Sequence, residues 1–323
     1  MILNQINFTK ALSVNHKFEK NPSVAVGVSV GPDSMALLYL LNNWIKKNNG
    51  NLVALIVDHK LRKESSLEAK IIYNLLNQKN ISSKILTVKK SNVTKKNMSQ
   101  ARTNRYKILT NYCIKNDILH LFIGHHKDDY IETFINRKIS GSDFEGLQSI
   151  NKNTVINKVH ILRPLLVFSK KQIYKFNKNN KVRFIQDPSN SNFKYTRPVI
   201  RNYLENIKIS DKKEILNEIK LVKKYLPSYK KMVAEILLKN VILIEKNKLH
   251  FDLKNFKKLH KLIAEKVIKK IYYFFFGTNL GLRSNNIQKL VNLVKEDALT
   301  LYNIKGMIIK KEANSLMFLQ KLD

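Results

Sequence analysis

Cysteine is almost missing from this chain. A single Cys113 in 323 residues excludes a disulfide framework and a thiolate metal cluster, and it points to a reducing compartment. Cys113 falls within the apolar-periodic stretch 106–114, so it reads as a small buried hydrophobe, not a nucleophile. Long apolar runs are lacking too. Ile271–Phe276 and Ile236–Ile244 are far too short to span a bilayer, and no basic region followed by an apolar run stands at the N-terminus. A cytoplasmic protein without membrane association is expected. Acidic residues are scarce: 24 Asp and Glu face 59 Lys and Arg, for a net charge of +35. The excess is spread along the chain, with 33 basic against 12 acidic residues in 1–200 and 26 against 12 in 201–323. Such a surface suits nucleic acid. A second contribution is an AT-rich codon usage, which favours Lys, and Lys outnumbers Arg by 50 to 9. The retained arginines therefore carry more information, because planar bidentate phosphate contacts favour Arg over Lys.

What is present is an alternation of strand and helix signals. Val24–Val28, Leu52–Val57, Ser82–Val88 and Leu119–Ile123 read as strands. Asp33–Lys47, Glu64–Lys79, Met98–Lys115 and Asp128–Lys138 read as helices between and after them. This predicts an α/β fold with a doubly wound, mostly parallel sheet, in which chemistry gathers outside the C-terminal strand ends. Val155–Leu162 reads as one edge strand, and Ser169 as the cap of a helix to about Asn179. Helices are expected over Glu214–Tyr225, Ser228–Leu238, Leu259–Phe274 and Asn285–Val294, with a small β element at the end. No internal repeat is present. Tyr272–Phe276 continues an amphipathic helix and reads as packing, not as a platform for bases.

Each of three strands ends in small or polar residues. Val24–Val28 runs through Ser29, Val30, Gly31, Pro32, Asp33 and Ser34 into a helix. A turn feeding a helix N-terminus presents free N–H groups that suit phosphate, although an ordinary capped connection has the same form. No Lys follows the second glycine, and no Gly-x-Gly-x-x-Gly is present, so neither common nucleotide motif applies. The second strand ends at Asp58-His59-Lys60-Leu61-Arg62, where Asp58 either faces the same pocket or caps the next turn. The fourth ends at Gly124-His125-His126-Lys127-Asp128-Asp129, with Glu132 one turn on. These carboxylates suit a hard ion such as Mg²⁺ shared with phosphates, or the first-turn helix dipole. Arg102 and Arg105 are three apart on one helix, a spacing for clamping a phosphate or a carboxylate.

Together these stretches resemble the N-type ATP pyrophosphatases, the PP-loop superfamily with its adenine nucleotide alpha hydrolase-like fold. Within it they resemble the tRNA(Ile)-lysidine synthases. The resemblance is carried by Ser29–Ser34, Val57–Arg62, Ala101–Tyr106, Gly124–Thr133, Arg163–Leu166 and Asp187-Pro-Ser-Asn with Tyr195 and Arg197, over about residues 24–201. It implies ATP-dependent ligation of free L-lysine to C2 of the wobble cytidine of a CAU-anticodon tRNA(Ile), through an adenylated cytidine. Residues Ser29–Ser34 would then bind pyrophosphate, with Asp33 and Asp129 on Mg²⁺. Asp33, Asp58, His59, His125 and Asp129 would be catalytic. Arg62, Arg102, Arg105, Asp128, Glu132 and Arg197 would contact nucleotide, lysine or tRNA. A homodimer is a further family expectation. Residues 1–205 would form the catalytic domain and 206–323 a smaller, mainly helical tRNA-binding domain. A cytidine-thiolating relative and a non-catalytic tRNA binder are the alternatives. Val30 stands where the family has glycine. A β-branched residue avoids φ > 0, so either its backbone is extended or the loop is altered.

Overall fold

Apolar strands that are buried on both faces need helices on both sides, and that demand sets the first unit of the molecule. The structure is a computed structural model describing residues 2–14, 16–29, 31–58, 60, 65–88, 98–184, 196–277 and 282–321. After helix α1 (Gln5–Ser13), strands and helices alternate as β1 (Ser23–Val28), α2 (Pro32–Lys47), β2 (Asn51–Asp58), α3 (Ser65–Asn77), β3 (Ser83–Thr87), α4 (Met98–Lys115), β4 (His120–Ile123) and α5 (Lys127–Ile139). A hairpin of β5 (Asn153–Ile156) and β6 (Val159–Leu162) completes a six-stranded sheet of order β3-β2-β1-β4-β6-β5. All neighbours pair in parallel except β5, the antiparallel edge. Val24, Val26, Ile56 and Phe122 face a core shared with α1, α2 and α3, while Ala25, Leu55, Leu121 and Ile161 face α4. Cys113 lies in that second core, where burial pushes its thiol up to about 12.

The single edge strand expected over 155–162 is two strands. Asn157 and Lys158 both take positive φ, 49° and 67°, which forms a two-residue hairpin turn without glycine. The first unit continues through α6 (Lys170–Asn179), which begins with a Ser169–Gln172 capping box, and α7 (Thr196–Asn206).

Compact packing divides the chain into residues 1–142 with 146–219, and 143–145 with 220–323. The later division falls inside α8 (Ile209–Asn240), one helix where two were expected, with Pro227 in its interior. Buried Val222, Leu226 and Val233 flank the proline and hold the helix together across the missing N–H donor. The second unit contains more strand than a small terminal β element. β7 (Val241–Ile244), β8 (Lys248–Asp252), β9 (Leu301–Ile304), β10 (Met307–Glu312) and β11 (Ser315–Gln320) form an antiparallel sheet of order β7-β8-β11-β10-β9. Helices α9 (Leu253–Lys258), α10 (Lys261–Phe276) and α11 (Ser284–Lys295) pack on it around Phe251, Ile271, Leu290 and Phe318. Tyr272 stacks on Phe276 at 4.4 Å in this unit, whereas Tyr273 and Phe274 are exposed. Among the described residues no helix is long and apolar enough to cross a membrane.

At the N-terminal edge of the first sheet, His120 of β4 and His160 of β6 are register partners, and His16 lies against both. Glu19 bonds His120 Nε2 at 2.7 Å, and His16 Nε2 meets His120 Nδ1 at 3.1 Å. Burial, then His120 and His160, hold His16 below its ordinary value of 6.5. A histidine kept neutral in the fold contributes stability above its unfolded value, and that contribution is lost as pH falls through and below it. Protection against hydrogen exchange in α1 and the first residues of β4, taken relative to the intrinsic rate at each pH, is therefore expected to fall from pH 7.5 to pH 5.5, and His16→Asn should flatten this dependence. An unchanged profile in that variant refutes the assignment.

Candidate active site

Three strand ends and two helix starts converge at the C-terminal edge of the first sheet. After Val28, Ser29 leads to Gly31, the N-cap of α2, at φ −73° and ψ 160°, and Pro32 takes the first helical position. Among the described residues no side chain caps this helix, which leaves its first-turn N–H groups and dipole to an anion. The loop is closed from inside by Ser34. Its Oγ accepts from Ser29 N at 3.0 Å and lies 2.5 Å from Ser29 O and 3.1 Å from Gly31 O. Gly31 is extended, and a Cβ there would meet only Ser29 Oγ at 3.5 Å, so neither its conformation nor the protein's own packing demands glycine. Val30 lies outside the described residues, as do His59, Arg62 and the segment 187–195.

Gly124, just past β4, is different. A Cβ on it would stand 3.1 Å from both Asp33 C and Ser34 N, and 3.2 Å from Asp33 O. The absence of a side chain lets the β4–α5 turn rest on the first turn of α2 and brings His126 to Asp33. His126 is the N-cap of α5. Its Nδ1 accepts from Asp128 N and Asp129 N, and Asp129 Oδ2 accepts from His126 N at 3.1 Å. With Nδ1 turned to those amides, Nε2 faces the loop and lies 3.7 Å from Asp33 Oδ2 and 3.5 Å from Asp129 Oδ2. Asp33 Oδ1 is buried with no hydrogen-bond partner among the described residues. Burial raises the Asp33 pKa, and the Asp129 charge adds to that, against His126, Lys170 and Arg201. A buried carboxylate oxygen held in this way suits a cation. One or two carboxylates completed by phosphate oxygens and water is the coordination Mg²⁺ favours. Among the described residues no three His, Cys, Asp or Glu side chains form a preassembled metal cage.

The remaining acids have protein partners. Asp128 Oδ2 accepts from Lys170 N at 2.7 Å, tying α5 to the start of α6. Glu132, 2 % exposed, receives Arg201 Nε at 2.7 Å and Arg197 Nε at 3.3 Å, and Arg201 also reaches Asp129 at 3.8 Å. Asp58 accepts from Lys60 N, Ser65 Oγ and Ser66 Oγ at 2.9, 2.8 and 2.6 Å. Burial pushes its pKa up, but these bonds outweigh burial and leave it lowered. Its carboxylate thus fastens the end of β2 to the start of α3, the capping alternative left open by the sequence.

A second cluster surrounds Tyr106 of α4. Arg163, 6 % exposed, donates from Nε to His125 Nδ1 at 3.1 Å and from Nη2 to Tyr106 Oη at 3.2 Å. Its Nη1 reaches Asn151 O and Thr154 Oγ1 at 3.0 and 2.6 Å. Arg102 and Arg105 lie over the Tyr106 ring at 5.6 and 5.7 Å. His125 is held well below 6.5 by burial first, then by Arg102, Arg163 and Arg105. With Nδ1 occupied it stays neutral, which makes it an acceptor for Arg163 and a poor general base.

Residues 4–207 match the family model described as "PP-loop domain". The chain is 42 % identical over 207 residues to the tRNA(Ile)-lysidine synthase of Wolbachia pipientis wMel, covering 64 % of this chain and 47 % of that one. The corresponding protein of Orientia tsutsugamushi (strain Boryong) is 37 % identical over 206 residues, covering 64 % of this chain and 46 % of that one. The match to that of Rickettsia akari (strain Hartford) is longer, 31 % over 295 residues, covering 91 % of this chain and 68 % of the relative. The chain belongs to the tRNA(Ile)-lysidine synthase family. Among solved structures, the U34-tRNA thiolase NcsA of Methanococcus maripaludis superposes with a TM-score of 0.56 at 22 % identity, over 68 % of this chain and 79 % of that one, which shows the shared fold. The chain spans about half the length of the Wolbachia and Orientia lysidine synthases, 47 % and 46 %.

For a member of the tRNA(Ile)-lysidine synthase family, the structure brings together Ser29, Gly31, Asp33, Ser34 and Asp129, and gathers Arg102, Arg105 and His125 separately around Tyr106. Four residues outside the expected site set have the densest contacts: His126, Arg163, Tyr106 and Arg201. His126 was legible as the first residue of a capping box, because Asp129 stands three residues on. Arg201 stands four residues beyond Arg197, the spacing that puts both on one carboxylate. Arg163 and Tyr106 stand in stretches that carry the resemblance, but nothing local pairs them, since their contact joins residues 57 apart.

Proposed function

We propose that this chain ligates L-lysine to C2 of the wobble cytidine of CAU-anticodon tRNA(Ile), using ATP. The buried Asp33 Oδ1, without a partner among the described residues, at the start of α2 carries this reading. It supplies a negative ligand point beside N–H groups that suit phosphate. Ser29, Gly31 and Ser34 line the loop for pyrophosphate, and Asp33 with Asp129 would hold Mg²⁺, which when bound offsets charge growing on the leaving group. The cytidine O2 takes AMP from ATP and pyrophosphate leaves. The lysine ε-amine then forms the C2–N bond, AMP departs, and the amine proton is released. His126 Nε2 lies between the two aspartates at the loop. Arg197 and Arg201 hold Glu132, so that α7 stays against α5. The second unit and its share of the +35 charge are proposed as the tRNA-docking surface, and a homodimer belongs to the same reading.

Incubating the chain with ATP, Mg²⁺, labelled lysine and a minor isoleucine tRNA transcript is expected to incorporate lysine with release of AMP and pyrophosphate. Pyrophosphate release without lysine incorporation would favour a cytidine-thiolating relative. Binding of the transcript with neither product would reduce the chain to a tRNA binder.

A further inference from the structure

Asparagine is among the weaker helix formers and is seldom fully buried, yet Asn177 lies inside α6 with 1 % of its surface exposed. Its Nδ2 donates to Pro32 O at 3.0 Å, across 145 residues of sequence. Its Oδ1 is buried without a partner among the described residues. A leucine would fill such a place without stranding an acceptor, so packing alone gives no reason for the amide. Pro32 supplies one. It is the first residue of α2, has no N–H of its own, and follows Gly31, an N-cap with no side chain to offer. Ser34 ties the loop from inside through Ser29 and Gly31, and Asn177 ties it from the α6 side. Tyr39 against Phe176, ring centroids 5.8 Å apart, continues the contact of α6 with α2 about two turns further along. At the other end of α6, Lys170 N holds Asp128. One short helix thus braces both helix starts that meet at the site.

We propose that Asn177 is a positioning residue for the β1–α2 loop. It fixes the Pro32 carbonyl, and with it the first-turn N–H groups of α2, so that the loop is ordered before its anion arrives. This rests on the assignment of Ser29–Ser34 to pyrophosphate. A loop already held in place loses little freedom on binding, whereas a loose one must be ordered by its ligand and binds more weakly. The tie is the same before the reaction and as the leaving group departs. Its loss therefore weakens binding uniformly, raising KM for ATP and leaving kcat in place. The stranded Oδ1 is stability given up for that order, a trade that active sites make and cores do not.

Two measurements on the full chain test this together: calorimetric affinity for inorganic pyrophosphate with Mg²⁺, and the thermal unfolding midpoint. Asn177→Leu is expected to weaken pyrophosphate binding about five- to tenfold, the share of one hydrogen bond, while the midpoint holds or rises. Asn177→Ala should lose the same affinity, and it carries the test should the larger leucine fail to fold. In the ATP reaction KM should rise by the same factor with kcat retained. Ile173→Val trims a fully buried side chain of α6 and leaves the tie intact, so it should lower the midpoint and keep the wild-type affinity. Wild-type affinity in the Asn177 variants overturns the proposal. So does an equal loss in Ile173→Val, which would trace the effect to the stability of α6. Absence of pyrophosphate binding in the wild type would overturn the assignment of the loop, and the role of Asn177 with it. Neither lysine nor tRNA enters the binding measurement, so a failure of lysine ligation would leave it untouched.

Discussion

Asp33→Asn is expected to lower the rate of pyrophosphate release by about 10³-fold or more, the scale on which removal of a preorganised charge acts. The same substitution should leave the unfolding midpoint unchanged or raise it. Asp33 has a raised pKa in the fold, chiefly through burial, so its charged form is held at a cost. A carboxyl with a raised native pKa takes stability away as pH rises past its unfolded value of 3.8, so removing it relieves the fold at neutral pH. Inactivity with undiminished stability is not what a merely structural residue would show. Binding of the tRNA transcript should be largely retained. Unchanged pyrophosphate release would remove Asp33 from the reaction.

Glu132→Ala is expected to produce the largest loss of stability among the site residues, about 2–3 kcal/mol, or roughly 5–10 °C in the midpoint of a unit this size. The figure sits below that for a fully buried pair because Arg197 and Arg201 keep 48 % and 34 % of their side chains exposed. Glu132 itself is buried, and Ile131, Ile200 and Leu204 pack beside it, so losing the carboxylate unpins α7 from α5. Glu132→Gln keeps an acceptor for one arginine and should recover part of the loss. Thermal unfolding of the three proteins measures this directly, and equal midpoints for wild type and Glu132→Ala would show that the hydrophobic contacts alone hold α7.

The alternation from β1 to α5 was readable because strands covered on both faces are written as uninterrupted apolar runs, with polar residues only at their ends. The hairpin was not, because Asn157-Lys158 lacks the glycine that marks such a turn. Pro227 gave a false helix end, since packing by Leu226 and its neighbours outweighs one lost hydrogen bond. β7 was hidden because it begins at Val241, the residue directly after the end of α8, with only Lys239-Asn240 between two apolar runs. At the site, residue types were legible but partners were not. The serines that occupy Asp58, the arginine that bonds His125 and the lysine amide that binds Asp128 come from elsewhere in the chain. Carboxylates meant for a ligand and carboxylates meant for a helix look alike until those partners are known.

The position of β1 in its sheet has a kinetic consequence. It is flanked by β2, reached after one helix, and by β4, whose His120 pairs with Val24 from 96 residues further on. Pairings of such long sequence separation form slowly, because loop-closure entropy is lost before any contact rewards it. During synthesis the loop at Ser29–Ser34 therefore waits, open on its β4 side, until some 120 residues have emerged. The hairpins β9–β10 and β10–β11 join neighbours and close locally. The second unit also needs a distant pairing, β8 with β11, but Lys248 and Leu319 are 71 residues apart against 96 for Val24 and His120.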